Sequence, residues 1–153
     1  MAHLIGIISD THGLLRPQAL DALRGVERIL HAGDVGKREI LDSLRSIAPV
    51  VAVRGNVDRE AWTASLRETE AVEVGSHLLY MLHDFSQLDL NPNAAGFSAV
   101  IYGHSHQPSV EWRGGVLYLN PGSAGPRRFT LPVTLARLRV GETIEAEIVH
   151  LVE

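Results

Sequence analysis

Cysteine is absent from the 153-residue sequence, which excludes disulfide staples, thiolate zinc sites, iron–sulfur clusters and a cysteine nucleophile. Long apolar runs are absent as well; none reaches the ~20 residues that cross a bilayer. The apolar stretch Leu4 to Ile8 has no Lys or Arg before it and runs straight into Asp10, unlike a secretory leader. Excess positive charge is also missing. With a formal net charge of -4 and no evident basic track, the molecule as a whole does not attract polyanions, and nucleic acid is not an expected partner. A cytoplasmic protein without membrane attachment is expected. The rest of the composition, 45% hydrophobic and 21% charged, is that of a globular chain, and one domain over residues 1–153 is the expectation. A domain of this length buries roughly 68–70% of the surface its unfolded chain exposes. It needs no metal in order to fold, so any metal would serve chemistry. Eight histidines beside 18 acidic residues are the compositional oddity.

Leu4 to Ile8, Val50 to Val53 and Ala99 to Tyr102 are short apolar runs rich in β-branched residues, which predicts strands buried on both faces. Ile29 to Ala32 predicts another. Between them Leu15, Ala19, Ala22 and Leu23, then Ile40, Leu44 and Ile47 before Pro49, recur at helical spacing. This order predicts an α/β beginning. Further along, alternating runs joined at Gly75-Ser76, Gly114-Gly115 and Gly141-Glu142 predict antiparallel hairpins. In the last of these, Ile144, Ala146 and Ile148 face inward while Glu145 and Glu147 face out. A short helical piece is expected between His83 and Phe97, interrupted by Asn91-Pro92-Asn93.

The chemistry lies just past the strand ends. Leu4 to Ile8 delivers Asp10-Thr-His12, Ile29 to Ala32 delivers Gly33-Asp34, and Val50 to Val53 delivers Gly55-Asn56. Leu78 to Leu82 then delivers His83-Asp84, and Ala99 to Tyr102 delivers Gly103-His104-Ser105-His106. The carboxyl ends of parallel strands share one edge, so these loops converge on one crevice. Glycines at 33, 55 and 103 let backbone pass close to whatever binds there. Taken singly the pieces are ordinary: Gly33-Asp34 reads as a helix cap, Gly55-Asn56 as a turn and His83 as a core histidine. Their specificity lies in their order, each at the end of a strand. Asp, Asn and His supply oxygen and nitrogen donors without sulfur, which suits Mn, Fe, Zn or Ni better than Ca or Mg. Seven donors are too many for one ion and suit two ions about 3.5–4 Å apart, the arrangement used for in-line displacement at phosphorus.

The ordered set Asp10-x-His12, Gly33-Asp34, Gly55-Asn56-Val57-Asp58, His83 and Gly103-His104-Ser105-His106 resembles the calcineurin-like metallophosphoesterase superfamily. The stretch His31-Ala-Gly-Asp34, the segment Asn120-Pro-Gly-Ser123 and the adjoining Pro126-Arg127 are similar to its compact prokaryotic phosphodiesterase branch. The resemblance implies an α/β fold, a four-layer α/β/β/α sandwich of two mixed sheets. It implies one metal held by Asp10, His12, Asp34 and His106 and a second held by Asp34, Asn56, His83 and His104, with Asp34 bridging. It further implies catalytic roles for Asp34, Asn56 and His104, substrate contacts from Asn56 and Arg127, and Mn as the foremost ion. The expected activity is hydrolysis of small phosphodiesters by a metal-bridging hydroxide, with phosphomonoesterase or a non-catalytic interaction scaffold on the same fold as alternatives. Completeness of the ligand set favours the enzyme. A homo-oligomer is compatible with all of this.

Two departures from the family pattern stand out. Val57 occupies a position where many members have a histidine that assists the leaving oxygen. Asp84 comes after His83 where glycine is usual, and can accept a ring N–H, perturb the metal or face solvent. The segment Asn120-Pro-Gly-Ser123 is expected to be a turn that shapes the pocket indirectly. His31 is expected to be a neutral residue packed beside the site, and His3, His77 and His150 lie on predicted strand surfaces.

Overall fold

A computed structural model describes residues 2–152. It contains two mixed sheets of five strands each, in the orders β10-β9-β1-β2-β3 and β4-β5-β6-β8-β7. In chain order the elements are β1 (His3–Ile8), α1 (Pro17–Ala22), β2 (Arg28–His31), α2 (Arg38–Arg45), β3 (Val50–Ala52), β4 (Thr69–Val74) and β5 (His77–Leu82). After them come β6 (Ala99–Ile101), β7 (Ser109–Arg113), β8 (Val116–Asn120), β9 (Thr134–Val140) and β10 (Ile144–His150). No helix among the described residues is long and apolar enough to cross a membrane.

The predicted α/β beginning forms because two amphipathic helices return the chain to one sheet face. Pro17, whose fixed φ and missing N–H suit a first helical turn, opens α1. Glu39 in the first turn and Arg45 in the last complement the dipole of α2, which buries Ile40, Leu41 and Leu44. These side chains, with Ala19 and Leu23, pack on Ile8, Ile29, Ala52 and Leu135. Each returning strand pairs in parallel, β1 with β2 and β2 with β3, so their C-terminal ends lie together.

The opposite face of the first sheet meets the second in a shared core that includes Ile5, Ile7, Leu30, Leu79, Met81, Ile101, Leu117 and Leu138. Each such side chain contributes about 1.5–3 kcal/mol by leaving water. In the second sheet β5, β6 and β8 run parallel, so the end of β5 at His83 and the end of β6 before Gly103 also lie together. The three glycine turns close the β4–β5, β7–β8 and β9–β10 hairpins as expected. Ala146 and Ile148 pack toward the core while Glu145 and Glu147 are exposed.

The outer layer on the second sheet is thin. Between His83 and Phe97 the helical structure is a single 3-10 turn, Phe85–Gln87, and Phe85 and Leu88 pack there with Tyr80, Tyr102 and Tyr118. The helix ends where Leu88 turns extended, and further on Asn91 accepts the Ala94 N–H through Oδ1 in a separate Asx-type turn.

Candidate metal centre

The loops past β1, β2, β3, β5 and β6 meet at one edge, and six of the seven expected ligands fall into two groups. Asp10, His12 and His106 form one group, and Asp34, His83 and His104 the other. The groups touch. Asp34 Oδ2 lies 3.1 Å from His83 Nε2 and 3.7 Å from His12 Nε2. Asp10 Oδ1 lies 3.4 Å from His106 Nε2, 3.7 Å from His12 Nε2 and 3.8 Å from His83 Nε2. The seventh residue, Asn56, lines a cavity of about 680 Å³ together with His83.

The backbone is strained here. Among the described residues six non-glycine residues have positive φ, and five of them are Asp10, His12, Asp34, His104 and His106. A left-handed conformation costs an L-residue roughly 1–2 kcal/mol, and strain of this kind collects at functional sites. Glycine permits the close approach. A Cβ on Gly55 would sit 2.2 Å from Asp34 Oδ1, and one on Gly103 would sit 2.7 Å from Asp10 Oδ2.

Three of the expected ligands are oriented by specific bonds. His83 Nδ1 donates to the Ala32 carbonyl at 2.7 Å, which turns Nε2 toward the site. Asp10 Oδ2 accepts the Ser9 hydroxyl at 2.7 Å and the His104 N–H at 3.1 Å, leaving Oδ1 for the site. Asp34 Oδ1 accepts the Val57 N–H at 3.0 Å. Three buried atoms, Asp10 Oδ1, His83 Nε2 and His106 Nδ1, have no hydrogen-bond partner among the described residues. Buried polar atoms are seldom left so. Asp10 Oδ1 belongs to one group and His83 Nε2 to the other, and a cation in each group is the partner that fits such atoms; a sulfur-free set of oxygens and nitrogens matches borderline divalent ions.

The electrostatics agree. Burial alone would raise the Asp10 carboxyl, but the His106 and His12 rings, the His83 charge and the Ser9 hydroxyl outweigh it and hold Asp10 well below the usual carboxylate range. Asp34 is opposed by burial and lowered by His83 and the Val57 N–H. Burial would lower His83, yet Asp34 and Asp10 raise it. Both carboxylates therefore stay ionised although buried, as ligands to a cation must.

Positions outside the ligand set also act on it. His31 is fully buried; its Nδ1 accepts the Gly33 N–H at 3.1 Å and its Nε2 lies 3.0 Å from Thr11 Oγ1. Burial pushes it down to about 4 against the raising effect of Asp10 and Asp58, so it is neutral at pH 7, as expected. The segment Asn120-Pro-Gly-Ser123 is a brace: Asn120 Nδ2 donates to Gly103 O and Ser105 Oγ, and Ser123 Oγ donates to Asp10 O. Asp84 Oδ1 accepts from both the N–H and the hydroxyl of Ser86, while Oδ2 lies 4.0 Å from His104 Nε2. Arg127 lies in an exposed loop after Gly125. His3 and His77 pair with Glu27 and Ser98, away from the ligands.

The residue pattern assigned no role to Asp58 or Ser9. Asp58 is 3% exposed, and its carboxylate accepts the N–H groups of Gly55, Val35 and Gly36 at 2.9 to 3.2 Å, tying the Asp34 loop to the Asn56 loop. Its place three residues after Gly55 was the available signal. Nothing in Ser9 alone pointed to Asp10.

Strand ends, strained residues and orphaned atoms thus mark two candidate metal-ligand groups at one edge of a β-sandwich. Residues 4–143 match the family model of the calcineurin-like phosphoesterase superfamily domain, and the chain belongs to that superfamily. A probable metallophosphoesterase of Methanothermobacter thermautotrophicus is 40% identical over 158 residues, covering 96% of this chain and 92% of that protein. The solved structure of a novel archaeal phosphodiesterase superposes with a TM-score of 0.83 at 26% identity, covering 97% of this chain and 99% of that one. Vps29 of Chaetomium thermophilum has a TM-score of 0.78 at 23% identity, covering 96% of this chain and 97% of that one, and shares the fold.

Proposed function

We propose that the protein is a metal-dependent phosphodiesterase acting on small phosphodiesters, with two divalent ions, Mn foremost, held by the seven residues past the strand ends. The observation that carries this is the coincidence of left-handed strain with ligand chemistry at Asp10, His12, Asp34, His104 and His106. When bound, two such ions supply charge neutralisation at phosphorus and lower the pKa of a water so that it attacks in line near neutral pH.

The chain's own residues do the rest. Asp10, His12 and His106 form one set of ligands, His83, His104 and Asn56 the other, and Asp34 is shared, as its contacts with members of both groups support. The Ala32 carbonyl and the Val57 N–H fix the rotamers of His83 and Asp34, so little ordering is left to pay when an ion arrives. Asn56, which lines the cavity, takes the phosphate, and Arg127 is the second substrate contact that the family resemblance implies. Val57 offers no proton to the leaving oxygen. The reading places the protein in the cytoplasm as one domain, and the complete ligand set favours hydrolysis over a scaffolding role.

The test is hydrolysis of bis-p-nitrophenyl phosphate by chelated and Mn-restored protein, beside p-nitrophenyl phosphate. Loss on chelation, recovery with Mn and preference for the diester are expected. Preference for the monoester selects phosphomonoesterase, and no hydrolysis of either with Mn bound selects the scaffold.

A further inference from the structure

The cavity beside Asn56 and His83 has walls of opposite charge. The loop after β3 contributes Arg54 and Arg59, and the segment after β5 contributes Asp84, Gln87 and Asp89. Arg59 uses Nε to bond the Asn56 carbonyl at 3.0 Å, and its terminal nitrogens have no protein partner among the described residues. Arg54 meets Glu68 at 3.3 Å, but the Glu68 side chain is 79% exposed, so the pair exchanges readily with a ligand. On the other wall Ser86 occupies Asp84 Oδ1 and leaves Oδ2 as an acceptor. The cavity offers one phenolic ring, Tyr80, which packs on Phe97 with centroids 5.0 Å apart.

These walls discriminate among ester groups. A second anion would face Glu68, Asp84 and Asp89, an ammonium would face two guanidiniums, and a flat aromatic group would find a single ring to stack on. A hydroxyl donates and accepts at once, so guanidinium N–H on one side and carboxylate oxygen on the other both satisfy it, and a polyol repeats that match at each hydroxyl. We propose that this cavity is the subsite for a polyhydroxylated alcohol, and that the physiological substrate is a small phosphodiester with a glycerol-like or sugar-like ester group. The assignment rests on the phosphodiesterase reading and narrows its substrate class. A volume of about 680 Å³ lies within the usual span of small-molecule sites, about 300–1,000 Å³.

Symmetric diesters test it, since either ester group can enter the cavity with the same result. The Mn-loaded protein is titrated calorimetrically with bis(2,3-dihydroxypropyl), diethyl, diphenyl, bis(2-aminoethyl) and bis(2-carboxyethyl) phosphate, and the same compounds are used to inhibit hydrolysis of bis-p-nitrophenyl phosphate. The dihydroxypropyl ester is expected to bind about tenfold more tightly than the diethyl ester, the scale of one or two added hydrogen bonds. Asp89→Asn and Arg59→Met are expected to reduce that advantage to less than about threefold. Equal affinities, tightest binding by another diester, or an advantage that survives both substitutions overturns the proposal. Calorimetry needs no turnover, so a protein that binds the polyol ester but hydrolyses nothing refutes the phosphodiesterase reading and leaves the subsite standing.

Discussion

The backbone N–H of Val57 donates to Asp34 Oδ1 at 3.0 Å, while Val57 itself is 51% exposed. Position 57 therefore serves the site through its backbone whatever its side chain, and here the side chain is free to vary without disturbing the core. The leaving oxygen receives no proton from it, so its own basicity governs departure. The rate on aryl diesters is expected to fall steeply as leaving-group pKa rises. Val57→His is expected to leave thermal stability nearly unchanged and to flatten that dependence, helping poor leaving groups by up to ~10²–10⁴-fold where the ring reaches the oxygen. The measurement is log kcat/KM against leaving-group pKa for both proteins. A flat wild-type line, with chemistry rate-limiting, contradicts the assignment.

The metal-free protein is expected to be most stable near neutral pH. His31 is held near 4 when folded but titrates near 6.5 when unfolded, so the unfolded chain takes up its proton first as pH falls. Stability contributed by neutral His31 is complete above 6.5 and falls by about 3 kcal/mol toward pH 4. His83 acts oppositely: its folded pKa is raised, so its contribution is complete below about 6.5 and is lost as pH climbs through the folded value. Asp10 and Asp34 are depressed, and their contributions disappear only below about pH 4. Urea midpoints from pH 4.5 to 9 are expected to trace a maximum, and His31→Gln to flatten its acid limb.

Asp58→Ala is expected to cost about 2–4 kcal/mol, because three backbone N–H groups lose a charged acceptor in a buried place. Asp58→Asn, which keeps one acceptor oxygen, is expected to cost less. Both are expected to weaken metal binding, since the carboxylate ties the Asp34 and Asn56 loops together. Denaturation and Mn titration of the two variants check this; unchanged Mn affinity in Asp58→Ala contradicts it.

The sequence disclosed the site more fully than the fold. The convergence of Asp10, His12, Asp34, His83, His104 and His106 was readable because donor-bearing residue types recur just past strand ends that share one edge. The hairpins at Gly75, Gly114 and Gly141 were readable because tight turns between alternating runs demand glycine. The thin outer layer over β5, β6 and β8 was less so: whether Phe85 and Leu88 continue a helix depends on how they pack with Tyr80, Tyr102 and Tyr118, some of which lie far away in sequence. Asp58 and Ser9 escaped because their partners are backbone N–H groups and another carboxylate, and no spacing rule reports such bonds.

Metal stoichiometry tests the central claim most directly. Chelated protein is dialysed against Mn and analysed for bound metal in wild type, Asp34→Asn and His150→Ala. Asp34 contacts members of both ligand groups, and its asparagine replacement keeps the shape and the Val57 bond while removing the charge. His150 is exposed at the far end of β10. The account predicts about two ions per chain in wild type and His150→Ala and less than one in Asp34→Asn. Fewer than one ion in wild type, or equal binding in all three folded proteins, would contradict it.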